Sequence, residues 1–294
     1  MFGKNNKSFL FAFAAVMLWS TVATAFKLSL RGMSFAQLLF YASLTSSVFL
    51  LIHGLITDRK ILSKVFNKNI FLKNLLLGTI NPFLYYLVLF KAYSLLPAQE
   101  AQPLNYTWPI MISVFSAIFL KQKLSFKTLT GLMIAFLGVV VISTHGEILS
   151  LRFHNLFGVT LAVGSSLIWA SFWILNLSDT RTAEEKLLGA FIFGTILTAI
   201  YLTLFDSFIV SDPKLLFGAA YTGLFEMGVT FFLWMKALQL SEDRAKTSTL
   251  AYLSPFLSVL FIAFILKETI LLSSIIGLAL IIGGILYQHI GAKK

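Results

Sequence analysis

Apolar residues gather along this chain into ten runs of about twenty residues, with polar residues concentrated in short joints. The runs cover Ser8–Leu28, Phe35–Thr57, Phe71–Ala92, Pro103–Leu120, Thr128–Thr144, Leu156–Leu177, Leu187–Phe205, Leu215–Met235, Thr247–Leu266 and Leu271–Ile290. As a helix, each can cross roughly 30 Å of hydrocarbon. The joints carry the charge, as at Asp58, Arg59, Lys60, Lys64 and Lys68, or across Ser178 to Lys186. None is long enough for a separate domain. The predicted fold class is an all-α membrane protein of ten transmembrane helices.

The pattern repeats. Lys91-Ala92 recurs as Lys236-Ala237, Pro109 as Pro255, Leu120-Lys121 as Leu266-Lys267, Gly131 as Gly277 and Gly138 as Gly284, all at offsets of 145 or 146 residues, and Trp19 matches Trp169 at 150. Two five-helix copies are therefore expected, residues 1–147 and 148–294. Because five is odd, the second copy runs through the membrane inverted relative to the first. Inverted repeats recur among secondary transporters, and some channels share them.

Polar groups inside the runs are the candidates for function. In the fourth run Gln102, Asn105, Tyr106, Pro109, Ser113 and Ser116 fall within roughly a third of a helical wheel, opposite Met111, Phe115, Ile118 and Phe119. Hydrocarbon cannot satisfy amides and hydroxyls, so this stripe faces a cavity or hydrogen-bonds neighbouring helices. Glu226 stands near the middle of the eighth run, where an ionised carboxylate must be protonated, paired or facing water. The repeat aligns Gly78 with Gly223 and Asn81 with Glu226, so both copies carry a polar group at one depth, with Pro82 beside the first. Asn81 and Glu226 are expected to line a site from opposite halves, Glu226 binding a cationic substrate group or a coupling proton; a purely structural carboxyl is the alternative. Tyr106 matches Tyr252, and Pro109 and Pro255 each leave a carbonyl one turn earlier without its donor, a possible acceptor and hinge. Asn105 matches Ala251, so the first copy is the richer in donors. Trp19 and Trp169 lie well inside their runs and suit a substrate wall as well as plain packing.

Composition agrees with a membrane protein: 58% hydrophobic, 12% charged, and 30 phenylalanines in 294 residues. The apolar run after Met1 to Lys7 has no small-residue cleavage site and reads as a retained first span. Cysteine is absent, and His53, His145, His154 and His289 show no metal-ligand spacing. The net charge of +11 is spread between the runs rather than gathered into a nucleic-acid patch. With both termini cytoplasmic, 17 of the 23 Lys and Arg residues fall inside and 6 outside, as the positive-inside rule favours. Lys27, Lys91, Lys236 and Lys267 are near run ends and suit snorkelling. Glu100 would be favoured by a helix N-terminus if the fourth helix starts near Pro103, and Glu184-Glu185 reads as a helix start before Leu187. There are no paired intramembrane carboxylates, no Gly-x-Ser-x-Gly and no phosphate-cradling Gly-x-x-x-x-Gly-Lys, so an enzyme is not predicted and no cofactor is implied.

The run Met17–Thr21 (Met-Leu-Trp-Ser-Thr), Asn105–Pro109 (Asn-Tyr-Thr-Trp-Pro), and Tyr252–Pro255 (Tyr-Leu-Ser-Pro) with Leu266-Lys267-Glu268 resemble the EamA-type branch of the drug/metabolite transporter superfamily. The resemblance covers essentially the whole chain, and Ile168-Trp169-Ala170 makes it similar to the bacterial aromatic amino-acid exporter subgroup. It implies an inner-membrane carrier exporting amino acids, related metabolites or toxic cations through a central cavity between the halves. Gln122 departs from the pattern: many members have an acidic residue there, which Glu268 retains in the second copy.

The resulting expectation is alternating-access export of an amino acid or similar metabolite without ATP. Asn81, Tyr85, Asn105, Tyr106, Trp108 and Glu226 would line the path, Trp19, Trp169 and Tyr252 its apolar wall, with Pro109 and Pro255 as hinges. The partners implied are a small-molecule substrate, the lipid bilayer and a coupling proton, with no nucleic acid. Transport of a drug or nucleotide sugar, a channel and a structural membrane protein are the alternatives.

Overall fold

The computed structural model describes residues 4–119, 126–149, 155–177, 179–240, 247 and 250–289. Among these, every regular element is helical. Six helical segments are long and apolar enough to cross a membrane: Lys7–Ser29, Phe35–Thr57, Lys68–Leu95, Leu156–Asn176, Ala183–Phe205 and Leu215–Trp234. Leu129–Ser143, Leu250–Leu266 and Leu272–Tyr287 are shorter apolar helices. Gln122 lies outside the described residues.

Helix starts follow local chemistry. Helix α1 spans Lys4–Ser29 and α2 Phe35–Thr57. Ser34 opens α2 with a capping box: its hydroxyl accepts from the Gln37 N–H at 3.1 Å, while Gln37 Oε1 accepts from the Ser34 N–H at 2.9 Å. A short α3 (Ile61–Val65) precedes α4 (Phe71–Gly78). Farther on, α10 (Ala183–Phe205) starts under a Thr182 cap, with Glu184 and Glu185 in its first turn, as expected.

Among the described residues, three of the predicted runs are interrupted. The third consists of α4, a π-type turn over Thr79–Leu84, and α5 (Tyr85–Leu95); Asn81 is extended at φ −147°, ψ 122° and its peptide to Pro82 is cis. Proline lacks the N–H that would continue α4 and crowds the preceding turn. The fourth run divides at Tyr106-Thr107 into α6 (Ala98–Asn105) and α7 (Trp108–Phe119). The eighth divides at residues 226–228 into α11 (Leu215–Phe225) and α12 (Val229–Leu240). No proline is present there; the Thr230 hydroxyl donates to the Phe225 carbonyl freed by the break. The ninth begins with a 3₁₀ turn over Leu250–Tyr252, continues as α13 (Leu253–Phe261) and ends in a π-type turn before Lys267, which is left-handed at φ 57°.

The fourth run starts earlier than expected. Helix α6 begins at Ala98, which puts Glu100 in its first turn and Pro103 inside the helix. The reason lies in Glu268, whose carboxylate oxygens accept from the Ala98 N–H at 3.2 Å and the Gln99 N–H at 3.4 Å. These are donors that a helix start leaves unsatisfied.

The chain forms two compact units, each drawing on both sequence halves: residues 1–83 with 181–267, and 84–180 with 268–294. In the first, α2 and α10 lie side by side, joined by a Ser47–Thr195 hydroxyl contact of 3.1 Å between residues 148 apart. Each packs against a broken run: a Cβ on Gly78 of α4 would come within 2.5 Å of the Ala190 carbonyl on α10, and Gly223 of α11 is pressed in the same way on the Ala42 carbonyl of α2. Helix α1 packs on α11, α12 and α13. At one end Lys64 bridges Asp58 at 2.8 Å and Glu185 at 3.0 Å. The lysine hydrogen bond holds the Asp58 carboxyl below the ordinary aspartate range, and Asp58 and then Glu185 raise the Lys64 ammonium.

In the second unit, α5, α6 and α7 pack on α9 (Leu156–Leu177), while α8 (Phe126–Ser143) lies along α14 (Leu272–His289). Backbones touch at Gly138 against Gly277, where an added Cβ would meet the Gly277 carbonyl at 2.6 Å, and at Gly284 against Gly131, at 2.5 Å. Small residues let helices approach closely where lipid supplies no hydrophobic drive.

Candidate functional site

Sequence-predicted residues fall into both units: Trp19, Asn81, Glu226, Tyr252 and Pro255 in the first, and Tyr85, Asn105, Tyr106, Trp108, Pro109 and Trp169 in the second.

In the first unit Asn81 and Glu226 each occupy the interruption of a membrane-length segment. Asn81 is 1% exposed and its Oδ1 has no hydrogen-bond partner among the described residues. An unmet amide acceptor in an apolar interior costs about 1–3 kcal/mol, so this oxygen is available to a ligand or water. Glu226 is half-buried directly after α11, its N–H bonded to the Thr222 carbonyl at 2.9 Å. Helix α1 runs along this break and touches both of its flanks. The Thr21 hydroxyl lies 2.6 Å from the Tyr221 hydroxyl, and Trp19 packs on Phe231 and Trp234 with ring centroids 6.3 and 5.3 Å apart. Tyr252 is half-buried in the 3₁₀ turn and Pro255 is buried near the start of α13.

In the second unit the predicted residues converge. The Tyr85 hydroxyl donates to Asn105 Oδ1 at 3.3 Å, and Asn105 Nδ2 donates to the Ser165 hydroxyl at 2.8 Å. Tyr85 stacks on Trp169 at 4.6 Å and 30°, and Trp169 meets Trp173 edge-on at 5.9 Å. Thr107, in the turn after α6, contacts the Ser166 hydroxyl at 2.9 Å. The Asn105 amide is thus oriented from both sides, and each end keeps further hydrogen-bonding capacity. One turn earlier, Gln102 is 4% exposed, and its Oε1 has no hydrogen-bond partner among the described residues. Tyr106 and Trp108 are half-buried beside the break, and Pro109 is buried in the first turn of α7.

Ser165, Ser166 and Tyr221 are missing from the sequence reading. A serine pair in an apolar helix looks like ordinary packing, and Tyr221 gains meaning only from its contact with Thr21. Glu100 is 2% exposed and bonded to His145 Nε2 at 2.7 Å. That contact holds the left-handed turn after α8 (His145 φ 52°) on the first turn of α6.

The model of the EamA-like transporter family matches residues 6–144 and again 156–287. The chain belongs to that family. This EamA-family chain is therefore a multi-pass membrane transporter, not an enzyme. An uncharacterized transporter of Archaeoglobus fulgidus is 27% identical over 282 residues, 92% of this chain and 94% of that one. The aromatic amino acid exporter YddG of Ancylobacter novellus is 23% identical over 211 residues, 71% of this chain and 73% of the exporter. A crystal structure at 22% identity shares the fold, with a TM-score of 0.68 over 96% of both chains.

Proposed function

We propose that this EamA-family transporter is a secondary carrier exporting an amino acid or related small metabolite by alternating access, without ATP hydrolysis. The observation that carries the reading is the break of two membrane-length segments at repeat-related positions, with Asn81 at one and Glu226 at the other. Broken helices with polar residues at mid-membrane depth are how carriers build ion and substrate sites. Asn81, Glu226 and Trp19 are the substrate-path residues proposed for the first unit, and Tyr85, Asn105, Tyr106, Trp108 and Trp169 those proposed for the second. Tyr252 contributes apolar wall, and Pro109 and Pro255 supply hinges.

The proposed plan is ten spans in two inverted five-helix repeats, residues 1–147 and 148–294, with both termini cytoplasmic in a bacterial inner membrane. Support comes from repeat-related packing: Gly78 against Ala190 and Gly223 against Ala42, and Gly138 against Gly277 and Gly284 against Gly131. The excess of Lys and Arg in the joints assigned to the cytoplasm supports the orientation. Likeness to an aromatic amino acid exporter favours amino acids over drugs or nucleotide sugars.

The test is uptake into inside-out vesicles from cells expressing the chain. Concentrative, ATP-independent accumulation of one labelled amino-acid class, absent from control vesicles, is expected. Saturable uptake of a different solute class in its place would overturn the amino-acid assignment.

A further inference from the structure

The two ends of the α2–α10 pair carry different charge. At one end the joints over residues 30–34 and 206–214 balance Arg31 and Lys214 with Asp206 and Asp212, and the Ser34 hydroxyl donates to the Asp206 carboxylate. At the other, residues 58–70 between α2 and α4 carry Arg59, Lys60, Lys64 and Lys68 against the single carboxylate of Asp58. From this arrangement we propose that the α2–α4 joint binds an anionic phospholipid, its phosphate held by Arg59, Lys60 and Lys68 and its acyl chains lying on Leu62, Phe66, Phe71 and Leu72.

The joint is fixed from its inner side. Ile61 and Val65 share a buried face of α3, with Ile61 against Gly54 of α2, and the Asn74 amide donates to the Val65 carbonyl at 2.8 Å. Leu62 and Phe66, one turn apart on the neighbouring face, are exposed. Phe66 and Phe71 both meet Phe193 of α10, with ring centroids 6.5 and 5.0 Å away, so the two rings gather beside the 3₁₀ turn that begins at Lys68. They remain 53% and 44% exposed, and Leu72 is 75% exposed. Lys64 is taken up by Asp58 and Glu185, and Glu184 is the other carboxylate in the facing first turn of α10. Arg59, Lys60 and Lys68 are exposed, and among the described residues no salt bridge holds them.

The apolar flank decides the ligand class. A soluble phosphate would use the bases and leave two phenylalanines and two leucines bare to water, while a zwitterionic lipid would bring its own ammonium among the cations. An anionic lipid satisfies both parts of the surface, and long basic side chains reach its headgroup while their stems lie on apolar atoms. The joint connects two membrane-length segments, Phe35–Thr57 and Lys68–Leu95, so it stands at the bilayer boundary. In the proposed orientation it faces the cytoplasmic leaflet, whose anionic lipids attract bases next to a span. Lipid binding here is independent of which substrate the carrier moves.

The test uses the full-length protein released from micelles containing equal amounts of phosphatidylglycerol and phosphatidylcholine, with retained lipid counted by native mass spectrometry. A basic residue near an anionic surface contributes about five-fold in affinity, so phosphatidylglycerol should be retained roughly ten-fold or more over phosphatidylcholine. The combined variant Arg59→Gln/Lys60→Gln/Lys68→Gln should abolish most of that preference, and Arg31→Gln/Lys214→Gln should leave it unchanged. Glycerol 3-phosphate at equal concentration should not displace the lipid. Elution and thermal unfolding report whether each variant is folded; if the triple variant is not, Arg59→Gln and Lys68→Gln decide singly, each expected to lower the ratio. Equal retention of the two lipids by wild type, an unaltered ratio in the folded variants of the joint, or an equal fall in Arg31→Gln/Lys214→Gln would overturn the proposal. Displacement by glycerol 3-phosphate would overturn the lipid assignment in favour of a soluble phosphate.

Discussion

The Ser47 and Thr195 hydroxyls meet at 3.1 Å in the buried seam between α2 and α10. On one side of that seam α10 receives Gly78, and on the other α2 receives Gly223. The pair holds a frame whose two outer partners both break, at Asn81 and at Glu226. A fixed centre beside two interrupted helices lets polar backbone be presented at membrane depth without loosening the bundle.

Breaking the hydroxyl contact should cost little and crowding the glycines much. Ser47→Ala should lower stability by roughly 0.6 kcal/mol, the average for interhelical hydrogen bonds in membranes. Gly78→Leu forces a side chain against the Ala190 carbonyl and should cost about 1–3 kcal/mol, or prevent folding. Thermal unfolding in detergent checks both; equal effects would contradict close backbone packing.

Asn105→Ala should separate recognition from structure. It removes a group held by Tyr85 and Ser165, and a substrate-binding amide predicts a rise of roughly ten-fold or more in KM, by analogy with sites built to hydrogen-bond their substrates. Ala251 already occupies the repeat-related position, so the backbone should tolerate alanine. Transport kinetics beside thermal unfolding provide the measurement; an unchanged KM would remove Asn105 from the path.

The Glu268 cap should be visible as stability. Glu268→Ala frees the Ala98 and Gln99 N–H groups and should cost about 1 kcal/mol, the usual worth of an N-cap, while Glu268→Gln should retain part of it. Unfolding temperatures of the two variants test the order; alanine matching wild type would rule the cap out.

The Lys64 bridge should respond to acid. Asp58 titrates below its ordinary value of 3.8 in the folded chain, so its contribution is present above that pH and is lost as pH falls through the lower folded value. Lys64 titrates above its ordinary 10.5, so its share is full below 10.5 and is lost only as pH rises through the raised folded value. Lys64→Met should therefore lower Tm slightly at pH 7, with the difference from wild type vanishing well below pH 3.8; the pair is largely solvated, so the shift should be small. A difference that persists in strong acid would mean the bridge contributes through packing.

Much of this molecule is written in its hydrophobic pattern. The apolar runs that form the membrane-length helical segments reflect simple period, and Glu184-Glu185 at the start of α10 reflects local helix-start chemistry. Other features depend on distant partners. Pro103 looks like a helix start until Glu268, 170 residues away from Ala98, caps the helix five residues earlier. The break at Glu226 has no proline to announce it and is legible only through its alignment with Asn81. Asn105 and Tyr85 carry visible polarity, whereas their link to Ser165 and Trp169 depends on how α9 packs.

Counterflow in proteoliposomes tests the carrier claim most directly: unlabelled amino acids are loaded inside singly, labelled ones are added outside, and wild type is compared with folded Glu226→Gln. The account predicts transient, saturable accumulation of one amino-acid class and a marked loss in the variant. Flux that never saturates and shows no counterflow would contradict it and identify a channel.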